Sequence, residues 1–141
     1  MGINGPRFEE LPHTADWAMR VTAPDLAGLF AEAARGMNAL TGARPAPGPA
    51  THRTVNLSAP DAESLLVAFL SELVYAAEQE RITFARFHVD MFEDSEEWKL
   101  KVEMDGAPIL SLNKSIKAVT YHNLQIRQTP KGYEVEIVFD V

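Results

Sequence analysis

IKAVTYHNLQIRQTPKGYEVEIVFDV, residues 116–141, is the stretch whose reading decides the fold. Val119 and Tyr121 alternate with Thr120 and His122, Leu124 and Ile126 carry the apolar rhythm onward, and residues 129–132 have the composition of a tight turn. Beyond that turn Tyr133, Val135, Ile137 and Phe139 share one face, while Glu134, Glu136 and Asp140 share the other. A period of two marks a strand with one buried face, so the stretch is predicted to form a hairpin of two long strands. Its polar face ends in acid. With Val141 as the last residue, a terminal carboxylate would stand one residue from the Asp140 side chain.

Outward from this hairpin, the rest of the chain supplies the layer that covers it. Residues 16–21 alternate, with Trp17, Met19 and Val21 on one side, and read as a strand after a short extended segment at 8–11. Thr22, Pro24 and Asp25 suit a helix start. Leu26, Leu29, Phe30, Ala33, Met37 and Leu40 then recur at helical spacing up to Gly42. The Gly- and Pro-rich segment 42–50 is a loop. A strand is expected at 51–57. A second helix follows the Ser58/Asp61 capping signal, with Leu65, Leu66, Phe69, Leu70, Leu73, Val74 and Ala77 as its stripe. Residues 82–92 and 98–104 read as a hairpin across the acidic turn 93–97. Asp105-Gly106 is a turn signal, and 107–115 reads as a loop or short edge segment. The order predicts a single α+β domain over residues 1–141, with two helices packed on a mainly antiparallel sheet.

Composition narrows the function. The 141 residues are 46% hydrophobic and 23% charged, with a formal charge of −7. That balance opposes a broad grip on nucleic acid, which needs clustered Lys and Arg. The absence of Cys excludes disulfides, thiolate metal sites and cysteine nucleophiles, and fits a reducing cytoplasm. The start MGINGPRFEE has no basic-then-apolar leader and is a poor myristoylation match, and no run approaches the roughly 20 apolar residues of a membrane span. No phosphate loop, GxSxG elbow or HExxH occurs.

The candidate chemistry is acidic and local. His13 and Asp16, three apart, converge only if His13 lies in a turn before the strand, which Pro12 favours. There they would form a cation site or satisfy local backbone groups. Asp140 beside Glu134 and Glu136 is either a solvated face or part of an oxygen-rich site for a hard cation. Lys117, Thr120 and His122 form a polar set, with Lys117 at the strand start; its plainer reading is an edge lysine that discourages aggregation.

Four segments together resemble the archease family: HTAD at 13–16, LFAEAARGM at 29–37, LLVAFLSELVYAAE at 65–78, and IKAVTYH at 116–122 followed by the terminal FDV. They span nearly the whole chain. The resemblance implies a strand-helix-strand-strand module with a second such module inserted in it. It also implies a non-catalytic accessory protein that activates an RtcB-type tRNA-splicing ligase, promoting guanylylation of the ligase histidine and multiple turnover and broadening its nucleotide use. A divalent metal, calcium, with magnesium and manganese as alternatives, would be held by Asp16, Asp140 and the main-chain oxygens of Val141. Lys117 and Asp16 would act in activation, with His13 and His122 as weaker candidates. An older view of such proteins is a chaperone or binding module for RNA-modifying enzymes such as methyltransferases. The chain departs from the family pattern at Ser115, where an acidic residue is frequent, at Gly42, where Asp is, and in the short segment LSLNKS at 110–115.

Overall fold

A computed structural model of the chain describes residues 5–11 and 17–141. The first sheet is built around the strand predicted to close the chain. β2 (Trp17–Ala23) and β9 (Gly132–Asp140) run antiparallel, with Trp17 opposite Phe139 and Ala23 opposite Tyr133. β1 (Arg7–Leu11) lies on the outer side of β2. The far side of β9 is shared by two short strands: β7 (Ala118–Val119) beside Phe139 and Asp140, and β8 (Arg127–Thr129) beside Gly132–Glu134.

The second sheet comes from the middle of the chain. β5 (Ile82–Asp94) and β6 (Glu97–Ser111) form a long hairpin. β4 (Thr51–Ala59) pairs with the other side of β6, and the two-residue β3 (Arg44–Pro45) flanks its end. Every pairing in both sheets is antiparallel. β4, the second helix, β5 and β6 therefore form a strand-helix-strand-strand module inserted into the one that begins with β2 and closes with β9.

α1 (Leu26–Thr41) starts one turn later than Thr22 suggests. β2 continues to Ala23, and Asp25 is the N-cap, its carboxylate accepting from the Gly28 amide at 2.6 Å. Gly42 ends the helix in the left-handed region, at φ 67°. α2 (Ala62–Tyr75) is capped by Asp61, which accepts from the Ser64 amide at 2.7 Å. It widens into a π-helical turn over Ala76–Glu80 and stops at Arg81. No helix among the described residues is long and apolar enough to cross a membrane.

Each helix touches both sheets. α1 packs on β1 and β2 of the first sheet and on β5 of the second, and α2 packs on β4 and β6 of the second and on β7 of the first. The buried faces merge into one core in which Phe30, Phe69 and Phe139 are fully excluded from solvent. Phe69 of α2 stacks on Phe30 of α1 with ring centroids 6.3 Å apart, and meets Phe87 of β5 edge-on at 6.2 Å.

Three sequence expectations need correction. Residues 116–129 do not form one long strand. After Thr120 donates its amide to the Val138 carbonyl, the chain leaves the sheet, turns through Asn123 at φ 52°, and returns at β8. The apolar rhythm is satisfied differently there: Leu124 and Ile126 pack against the core from the loop, and the Ile126 amide donates to Glu63 on α2. Asp105-Gly106 is not a turn, because β6 passes straight through it. Glycine is required there by close approach, since a Cβ would sit 2.3 Å from the Thr83 carbonyl oxygen. Opposite, β5 carries a bulge between Phe84 and Arg86, where the Asn38 side chain of α1 donates to the Phe84 carbonyl. The stretch read as a loop or short edge segment at 107–115 is the end of the long strand β6 as far as Ser111.

Candidate functional site

Lys117 and Asp140, both singled out in the sequence, meet at one end of the first sheet. The Lys117 amide donates to the Asp140 carbonyl at 2.7 Å, and Ala118 and Val119 then pair with Asp140 and Phe139. Phe139 is also opposite Trp17, the first described residue after the HTAD segment. The IKAVTYH motif and the acidic end are thus adjacent strands, joined by backbone hydrogen bonds over more than twenty residues of sequence. His13 and Asp16 lie outside the described residues.

Alternation sets what each side chain does here. Ile116 and Val119 are buried and anchor the motif in the core, whereas Lys117 and Ala118 are exposed. Phe139 is buried, so Asp140 presents its carboxylate to solvent, while Val141 is half-buried against the core. Thr120 donates its hydroxyl to the Val138 carbonyl and accepts the His122 amide, which fixes the start of the loop. The His122 ring lies 3.4 Å from the Asn123 side-chain amide. Tyr121 is 62% exposed.

The donors offered by the described part of this end are the Asp140 carboxylate and the oxygens of Val141. Their chemistry suits a hard, oxygen-seeking cation and not a thiophilic one. Among the described residues, no group of three or more His, Asp or Glu side chains is placed to hold a metal ion. A third donor to such a cation would have to come from elsewhere.

Two features were missed in the sequence. The Lys114 ammonium sits over the Trp17 ring, 5.1 Å from its centroid, tying the segment before IKAVTYH to the start of β2. The irregular LSLNKS segment carries no periodic signal from which that contact could be read. Lys117 also faces a groove between β7 and the end of α2, lined by Ser71, Tyr75 and Glu78. Tyr75 falls outside the apolar stripe of α2, and its 60% exposure is the only trace of its position.

A separate polar cluster lies on the solvent face of the second sheet. His52 of β4 is 2.8 Å from Asp105 and 3.6 Å from Glu103, both on β6. The Asp105 hydrogen bond holds the His52 pKa above its ordinary 6.5.

Comparison with known proteins gives consistent results. A family model described as the Archease protein family (MTH1598/TM1083) matches residues 8–141. The chain is similar to a protein named archease from Methanosarcina barkeri, at 35% identity over 100% of both chains. It is also similar to one from Methanopyrus kandleri, at 30% identity over 95% of this chain and 99% of that one. Among solved structures, the solution structure of Methanobacterium thermoautotrophicum protein 1598 matches with a TM-score of 0.77 at 24% identity, covering 99% of this chain and 100% of that one. The crystal structure of an archease described as a possible chaperone, from Thermotoga maritima, matches with a TM-score of 0.64 at 18% identity, covering 94% of this chain and 96% of that one. At these identities the two structures speak for the fold.

Proposed function

The chain belongs to the archease family, and from that premise we propose that it is a non-catalytic accessory protein that activates an RtcB-type tRNA-splicing ligase in the cytoplasm. The observation that carries this reading is the pairing of β7 with the end of β9, which sets Lys117 against Asp140. In this reading Asp16, Asp140 and Val141 hold a divalent cation, calcium first and magnesium or manganese as alternatives. The register supports Asp16 as the distant donor. Trp17, the residue that follows Asp16 in the sequence, is opposite Phe139.

The bound cation would supply a fixed positive charge where acidic side chains otherwise repel one another. The residues of the chain do the rest. Asp140 and Val141 offer oxygen donors from a rigid strand end, and the exposed Lys117 presents a cation beside them to the partner, promoting guanylylation of the ligase and its multiple turnover. The excess of acid suits docking on a protein and leaves RNA to the ligase. Purified protein is expected to convert a single-turnover ligase reaction into a multiple-turnover one. Asp16→Ala, Asp140→Ala and Lys117→Ala should each lose most of the gain while retaining the wild-type melting temperature. No gain from the wild-type protein would overturn the proposal.

The description of the Thermotoga maritima relative as a possible chaperone supports a second reading, a chaperone for RNA-modifying enzymes such as methyltransferases. That reading predicts suppression of client aggregation that survives Asp16→Ala and Lys117→Ala.

A further inference from the structure

The first sheet ends in β7, with no strand beyond it among the described residues. Thr120 directs its amide to β9. By the alternation of an antiparallel ladder, Val119 therefore turns its N–H and C=O to the outer edge. Beside that edge runs the groove whose other wall is the end of α2, with Tyr75 60% exposed. Lys117 and Glu78 both line the groove, and neither charged group has an ion pair or hydrogen bond among the described residues. An open strand edge flanked by an exposed aromatic ring and two unpaired charges of opposite sign has the features by which sheets capture extended peptides.

We propose that this edge accepts an extended segment of the partner protein, added as a further strand beyond β7, with an acidic side chain set against Lys117, a basic one against Glu78 and a planar or apolar one on Tyr75. This rests on the accessory-protein reading above and adds to it the docking surface and the chemistry of what docks. A second copy of the chain fits the edge poorly. Antiparallel pairing of β7 with itself would place two Lys117 ammonium groups on one short ladder, where like charges repel.

The test is hydrogen exchange and calorimetry with a purified RtcB-type ligase. In the free protein the Val119 amide should exchange rapidly. In the complex it should slow tenfold or more. Tyr75→Ala and Lys117→Glu, both at exposed positions, should each weaken binding about tenfold at an unchanged melting temperature, and Phe92→Ala on the second sheet should bind as wild type. If the wild type binds but the Val119 amide is unaffected and both groove variants bind within twofold of it, the docking edge is wrong and the accessory reading stands. If the wild type does not bind the ligase, both are wrong.

Discussion

Replacing Phe69 by alanine tests whether the two sheets share a core. Phe69 is fully buried on α2 and touches Phe30 on α1 and Phe87 on β5. A buried Phe→Ala change costs about 3–5 kcal/mol, which already contains the loss of two aromatic pairs worth about 0.5–1.5 kcal/mol each. For a chain of 141 residues, an unfolding entropy of about 0.3 kcal/mol/K makes a 4 kcal/mol loss equal to a fall in Tm of about 13 °C. Phe69→Leu keeps most of the volume and should lose about 1–2 kcal/mol. The assay is urea unfolding followed by fluorescence in single-tryptophan backgrounds. Trp17 reports on the first sheet and Trp98 on the second. One shared core requires both tryptophans to show the same lowered midpoint with an unchanged denaturant slope. The reasoning is refuted if Trp98 reports the loss and Trp17 does not, or if Phe69→Ala costs under about 1 kcal/mol.

Three further outcomes are expected. Gly132→Ala should cost about 3 kcal/mol or more in urea unfolding, because Gly132 has φ 139° and a Cβ would lie 2.3 Å from the Ala23 carbonyl oxygen; Gly48→Ala, at φ 134° with nothing nearby, should cost clearly less. Asp61→Ala should lose about 1 kcal/mol in thermal melts and Asp61→Asn much less, since the cap needs only an acceptor for the Ser64 amide. His52 should titrate above 6.5 by NMR and fall on Asp105→Asn. Because its folded pKa is the higher one, its contribution to stability is complete below pH 6.5 and is lost as pH rises through the folded midpoint, and His52→Asn should flatten that slope.

The helices were legible because burial of one face imposes a strong 3.6-residue rhythm, as Leu29, Phe30, Ala33 and Met37 show. The same logic misled at Leu124 and Ile126. A loop that folds against a core buries alternate residues as a strand does, and the turn at Asn123 and the hydrogen bond from the Ile126 amide to Glu63 distinguish the two. Gly106 misled because glycine serves close approach as well as turns, and its neighbour Thr83 lies more than twenty residues away in sequence. Lys117, Asp140 and the acidic strand end were all singled out from the sequence. What brings them together is strand pairing, which sequence alternation does not specify. The groove residues Tyr75 and Glu78 were silent because an exposed side chain leaves no periodic mark.

The nesting of one module inside another also fixes the order in which the protein matures during synthesis. β2 ends at Ala23 and its partner β9 begins at Gly132. At about 5–20 residues per second, a ribosome takes roughly 5–20 s to bridge that gap. The inserted module is complete by Ser111, while the edge of β2 that pairs with β9 still waits for its partner. Closing so long a loop costs more chain entropy than the local pairings of the inserted module, which favours its forming last. A translational pause just before residue 132 should therefore lower the soluble yield, whereas one within residues 42–50 should have little effect.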